Sequence, residues 1–337
     1  MVPRLQPRPL HESVAALLGD ASAARVIDAG DSRSGAGLQR FDLDGESVVL
    51  KTFDPAHDWL MRVAGDTDCW NIRAWESGLM DAVPSSIDHA TIGASLTRGE
   101  EGVTGALLMR DVAAWVVPDG DSMLDADLQL QILDRMAELH ATFWGWRDGI
   151  GLMPLERRYL FLSPAMARRE LEIDPEGVIP PLVLDGWDRL ASAAPGAAAV
   201  IVPLLEDVAP FVHAVRETPL TLLHGDWKAT NVGSAPDGRT VLLDWAFPGS
   251  GPACSDLSWS LAINVARNPL GHEATIAAYR EALERHGIAT EPWWDRQLAL
   301  ALLGSMLQFG WEKALGGGDE FGWWMDRVTE GAVWLSG

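Results

Sequence analysis

An α+β protein of two lobes is the expectation this sequence raises. Short strand-like runs punctuated by glycine fill the first third, and helix-period apolar faces fill most of the rest. A polar loop flanked by two short apolar runs interrupts the helices at residues 221–244. Strands gathered at one end and helices at the other are the α+β signature. With 337 residues the chain is long enough for two lobes rather than one small core. The division expected is residues 1–110 for a small antiparallel-sheet lobe and residues 111–337 for a mostly helical lobe.

The elements follow in order. Residues 11–19 read as a short helix, and strands are expected at 25–28, 38–42 and 47–53. Asp44-Gly45 is a hairpin turn signal between the last two, because both residue types tolerate positive φ. Residues 69–82 read as a helix, and 87–95 and 103–110 as two further strands. Leu128, Ile132, Met136, Leu139 and Phe143 recur at helical spacing and mark one apolar face of a long helix. Helices are also expected at 163–172, 182–193 and 202–216, with Pro180-Pro181 and Pro195-Gly196 as breakers. More follow at 255–266, 273–286, 293–315 and 321–335.

Composition narrows the function classes. The chain is 47% hydrophobic and 22% charged, with a net charge of −22, the opposite of the basic face a nucleic-acid partner requires. An acidic, solvated surface explains that charge, which is also compatible with a cationic small substrate. Cys69 and Cys254 are the only cysteines and form no CxxC pair, so a reducing cytoplasm is expected rather than a disulfide framework. Apolar runs fall short of a membrane span, and no membrane partner is expected. Sixteen Trp stand against two Tyr, an unusual supply of rings for core or pocket.

Chemistry concentrates in the interrupting loop. Leu222-Leu-His-Gly-Asp-Trp-Lys-Ala-Thr-Asn231 is followed by Val241-Leu-Leu-Asp244. Asp226 sits where an apolar run ends in a loop and suits a group that orients an attacking hydroxyl. Asn231 and Asp244 supply the neutral and anionic oxygens that hold Mg²⁺ against phosphates. Lys228 is placed to offset charge on a transferring phosphoryl group. Upstream, Val48-Val-Leu-Lys51 is an apolar strand ending in a lysine suited to phosphate contact, with Glu76 on the following helix as the expected partner.

These residues resemble the aminoglycoside phosphotransferase/choline kinase-like family, a small-molecule branch of the protein-kinase-like fold. The family's loop has the form His-Gly-Asp, four residues, then Asn, as at His224 to Asn231. Asp244-Trp245, Asp256-Leu257 and the helix around Ala137-Glu-Leu-His140 are similar to further family segments. Lys228 departs modestly, since many members carry His there. The resemblance implies a two-lobed kinase-like fold and transfer of the γ-phosphate of ATP, with Mg²⁺, to a hydroxyl of a small molecule such as an aminoglycoside, amino alcohol or sugar. It implies that residues 1–110 bind nucleotide and residues 111–337 carry the catalytic loop and acceptor site. It also implies that Asp256 braces the loop by accepting its backbone N–H groups.

The glycine-rich stretch 30–37 departs from G-x-G-x-x-G but offers Ser32 and Ser34 to cover phosphates. Adenine is expected against backbone near Met109 to Val112. Acceptor walls are expected among Trp245, Trp259, Trp293, Trp294, Trp311, Trp323 and Trp324, with Arg157, Arg158, Arg168 and Arg169 in a segment capping the cleft. The irregular phosphate stretch leaves a non-catalytic nucleotide-binding or regulatory protein as the alternative reading. Acceptor identity, GTP as donor and oligomeric state stay open at this point.

Overall fold

The structure is a computed structural model that describes residues 2–26, 37–100 and 102–335. The first lobe runs α1 (Val14–Leu18), β1 (Ser22–Val26), β2 (Gly37–Leu43), β3 (Glu46–Phe53), α2 (Trp59–Ala64), α3 (Trp70–Glu76), β4 (Ile87–Asp88), β5 (Thr91–Gly99) and β6 (Gly102–Arg110). The antiparallel sheet has the order β1-β2-β3-β6-β5. Asp44 and Gly45 turn the β2–β3 hairpin with φ of 54° and 82°, the positive values a tight hairpin turn demands. Alternation along β3 buries Val48 and Leu50 against Leu17 of α1 and turns Lys51 to the opposite face, toward the second lobe.

The second lobe is helical: α4 (Ala126–Thr142), α5 (Leu155–Leu160), α6 (Pro164–Ile173), α7 (Ile179–Ala193), α8 (Pro195–Glu206) and α9 (Ala209–Arg216). Short strands β7 (Thr221–Leu223), β8 (Val232–Ser234), β9 (Thr240–Leu242) and β10 (Gly249–Gly251) follow. The lobe closes with α10 (Cys254–Ile263), α11 (Gly271–Arg285), α12 (Trp294–Gly316) and α13 (Gly318–Val333). One large apolar core joins Phe53, Ile72 and Leu107 under the sheet to Met136, Phe211, Leu303 and Met306 among the helices. Arg62 of α2 is ion-paired to the buried Glu170 of α6, and Arg73 Nη1 donates to Ile150 O at 3.1 Å. The lobes are thereby joined by polar as well as apolar contact.

Several boundaries differ from expectation for identifiable reasons. Pro180-Pro181 and Pro195-Gly196 open α7 and α8 rather than breaking them, because a first-turn residue has no helical N–H partner to lose. The helix expected over 202–216 is two, bent by 92°, with Asp207 Oδ1 accepting from Ala209 N at 3.0 Å to start α9. Helices α2 and α5, six residues each, are too short to show a helical period in sequence. The cap of α2 was nonetheless visible in composition: Asp58 accepts from Leu60 N and Met61 N, and Gly65 ends the helix at φ 80°. Among the described residues no single helix is long and apolar enough to cross a membrane.

Candidate active site

Strand β7 pairs with β10 and delivers the chain into the loop at His224. Gly225 adopts φ 85°, and a Cβ there would collide with the carbonyl of Phe247, so glycine is required by both conformation and space. The loop backbone is gripped from α10. Asp256 accepts from His224 N at 2.9 Å, Gly225 N at 3.0 Å and Trp227 Nε1 at 2.8 Å. It also meets His140 Nε2 at 3.1 Å. Burial alone would raise this carboxyl, but the bond and charge of His140, with Arg158 nearby, hold it below its ordinary value. The loop is thus braced as the resemblance implied.

His224 is buried, and burial pushes its imidazole down to about 4, so it is neutral at physiological pH. Its Nδ1 accepts from Asp226 N at 3.2 Å and its ring meets Trp245 edge-on at 4.7 Å. The histidine supports the loop. Arg158, expected in a segment capping the cleft, lies instead buried behind the loop and donates from Nη2 to Phe247 O at 2.7 Å.

Asp226, Lys228, Asn231, Asp244 and Lys51 all line one cavity of about 520 Å³ between the lobes. Asn231 Nδ2 donates to Asp226 Oδ2 at 2.8 Å, and Trp259 Nε1 donates to Asp226 Oδ1 at 3.0 Å. Burial, then the charge of Asp244, pushes the Asp226 carboxyl up to about 7. Asp244 sits at φ 62°, an uncommon left-handed conformation for a non-glycine residue that aims its carboxylate into the cavity wall. Its Oδ1 accepts from Lys51 Nζ at 2.6 Å. Burial raises the Asp244 carboxyl, but the Lys51 charge and hydrogen bond outweigh it and the carboxyl is held low. Two carboxylates in one cavity are therefore pushed apart, one toward neutrality and one fully ionised.

The donor set suits a hard cation. Asn231 spends its amide N–H on Asp226, which leaves the amide oxygen as a ligand, and Asp244 has Oδ2 beyond the oxygen that meets Lys51. Both residues line the cavity on the side of Lys51 and Lys228, where anionic phosphates are favoured.

Glu76 is placed differently from expectation. Lys51 pairs with Asp244, while Glu76 ends α3 beside Asp68, Arg73 and Arg98 in a separate groove. Helix α3 instead presents Asn71 to a small recess that Lys51 shares with Asp58 and Asp66. The two positions are five residues apart, about 1.4 turns, and so lie on different faces of α3, and no periodic signal tells which face meets the lysine. Asp66 is buried, which pushes its carboxyl up to about 6. Met109 and Val112 pack with Ala90, Val241 and Leu243 and are not among the described lining residues of the cavity. Ser32 and Ser34 lie outside the described residues.

The cavity is also aromatic: Trp59, Phe161, Phe247, Trp259, Phe309 and Trp311 line it, together with Glu312 and the exposed Asp119 and Asp121. Of the tryptophans expected there, Trp259 and Trp311 contribute. Trp245 lies against His224, Trp294 packs on Tyr279, and Trp323 stacks on His272 at 4.0 Å. Trp59 sits on α2, in a stretch to which the sequence pattern assigned no element.

This two-lobed α+β architecture is that of the protein-kinase-like phosphotransferases. Residues 33–295 match the sequence model of the phosphotransferase enzyme family named APH, and the chain belongs to that family. It is accordingly a phosphotransferase. Among solved structures it is similar to the choline kinase LicA of Streptococcus pneumoniae, at 12% identity and a TM-score of 0.51, covering 95% of this chain and 96% of that one. It is also similar to a microcompartment-associated aminopropanol kinase, at 10% identity and a TM-score of 0.50, covering 94% and 92%. These likenesses concern the fold. A comparison with curated protein sequences finds no match.

Proposed function

We propose that the protein transfers the γ-phosphate of ATP, with Mg²⁺, to a hydroxyl of a compact amphipathic molecule. The observation that carries this reading is the meeting of Asp226, Asn231, Asp244, Lys51 and Lys228 on one interlobe cavity. LicA, similar in fold, is also known in complex with AMP. Residues 1–110 supply Lys51 to the nucleotide and Trp59 to the chamber, and residues 111–337 supply Lys228, Asn231, Asp244 and most of the acceptor wall.

Lys51 and Lys228 hold phosphate charge, and Asn231 and Asp244 hold the metal. Bound Mg²⁺ supplies neutralisation of the β- and γ-phosphate charge. Asp226 accepts a hydrogen bond from the acceptor hydroxyl and orients its oxygen toward the γ-phosphorus. As the new O–P bond forms, the bond from the γ-phosphorus to its bridging oxygen breaks and ADP leaves. The acceptor's proton passes to Asp226, whose carboxyl is tuned close to neutrality and so releases the proton readily afterwards. The aromatic walls exclude water, which would otherwise compete as acceptor.

The chamber favours an acceptor with an apolar face. A positive group on the acceptor would meet Glu312, for which no ion pair is present among the described residues. Incubation with ATP, Mg²⁺ and a pooled library of amino alcohols, sugars, nucleosides and hydroxylated antibiotics tests the proposal. One compound should gain the mass of a single phosphoryl group. ATP consumption with no labelled acceptor, or no nucleotide binding in a thermal-shift assay, contradicts it.

A further inference from the structure

Trp259 holds a position that no motif in the loop accounts for. It lies three residues after Asp256 on α10, so the two side chains share a helix face. Asp256 grips the loop through the backbone of His224 and Gly225, while Trp259 grips the side chain the loop presents, at 3.0 Å to Asp226 Oδ1. With Asn231 Nδ2 on Oδ2 at 2.8 Å, each carboxylate oxygen is held by a neutral donor, one from the loop and one from the helix.

The indole is itself enclosed by other rings. Its ring stacks on Phe161 at 6.1 Å and 17°, and packs edgewise on Phe309 at 4.7 Å. Phe247 closes a third side at 6.1 Å. A buried indole N–H needs a partner: Trp311 and Trp245 donate to the backbone carbonyls of Gln308 and Leu242, and Trp227 donates to the loop's anchor, Asp256. Trp259 donates to the one carboxylate that faces the reacting hydroxyl, and its ring forms part of the acceptor wall.

We infer that Trp259 is a positioning residue that fixes the rotamer of the Asp226 carboxylate from the acceptor wall. Acceptor shape and the aim of the orienting carboxylate are thereby coupled through one side chain. The inference rests on the phosphotransferase reading of this cavity.

The test compares wild type with Trp259→Phe, which keeps a ring and loses the N–H. It adds an isosteric replacement of Trp259 by benzothienylalanine, in which sulfur replaces the indole N–H and the ring shape is retained. Steady-state turnover is measured with the acceptor found in the library screen. The expected result is a fall in kcat of about 10–100-fold in both variants, the scale of a misaimed group. The KM for ATP should stay within about twofold, a split that general loosening would not produce. Wild-type kcat in the benzothienylalanine protein overturns the inference, as does a loss confined to Trp259→Phe or matched by an equal rise in the ATP KM. Wild type that forms no ADP with any acceptor removes the phosphotransferase reading and this role with it. Active wild type with indifferent variants removes this role alone.

Discussion

The catalytic loop and the acceptor chamber meet at the Asp226 carboxylate but are built by opposite means. The loop is short in sequence and polar: His224, Gly225 and Trp227 are tied to Asp256, and Asn231 is tied back to Asp226 only five residues away. The chamber is apolar and assembled from distant parts of the chain. Trp59 comes from α2, Phe161 follows α5, Trp259 comes from α10, and Phe309 and Trp311 come from α12. Directional hydrogen bonds fix the first to a single geometry. Side-chain volume shapes the second, and walls other than Trp259 can change without disturbing the loop. The reaction and the choice of acceptor are therefore separable everywhere but at Trp259, which belongs to both.

Substitutions can break that separation, and the largest effect should come from the loop's anchor. Asp256→Ala strips the partner from buried N–H groups and from His140, and is expected to cost about 3–5 kcal/mol of stability. Its melting temperature should fall well below that of wild type, and turnover should be lost. Retained stability would show that the loop is not held from α10.

Charge in the chamber gives a smaller, selective effect. Glu312→Gln should raise the KM for a cationic acceptor by about tenfold, an energy of about 1.4 kcal/mol, and leave the ATP KM unchanged. Equal effects on both constants would mean that chamber and loop are one unit.

Asp226→Asn should stabilise the protein at alkaline pH while it slows transfer by about 10²–10⁴-fold. The folded-state carboxyl lies near 7 against an ordinary 3.8, so its ionisation opposes folding. That penalty is fully present above pH 7, fades as pH falls and is gone below about pH 4. At pH 8 the variant should melt a few degrees above wild type, and the gap should close by pH 4, as followed by calorimetry. A gap independent of pH would show that the carboxylate is not strained by its surroundings.

The smallest effect is expected at Glu76. It stands beside Arg73 and Arg98, away from Lys51, so Glu76→Ala should change kcat by less than about twofold and stability by at most about 0.5 kcal/mol. A large loss of ATP affinity would put Glu76 back at the nucleotide.

What the sequence disclosed follows the same division. Asp226, Asn231 and Asp244 were legible because their spacing is local: Asp226 and Asp244 follow apolar runs, and Asn231 ends the polar loop between them. Strand β3 was legible because an apolar run after a turn signal ends in Lys51, while the face that carries the lysine emerges only from the burial pattern. The partner of Lys51 was not legible, since it is Asp244, 193 residues away in sequence and brought to the lysine only by the packing of the two lobes. Trp59 escaped because α2 is a single capped turn and a half with no measurable period. Phe161, Phe247 and Phe309 look like any core phenylalanine until the fold brings them together. The hydrogen bond from Trp259 had one visible trace, its place three residues after Asp256, but only the packed structure shows where the indole N–H points.

The central claim is that Asp226 orients an acceptor hydroxyl in a cavity that binds nucleotide through other residues. Its most direct test is to measure, for wild type and Asp226→Asn, both ATP·Mg²⁺ binding by calorimetry and phosphoryl transfer to the identified acceptor by mass spectrometry. The account predicts nucleotide affinity within about twofold and transfer reduced by about 10²–10⁴-fold. Transfer at the wild-type rate in Asp226→Asn would contradict it.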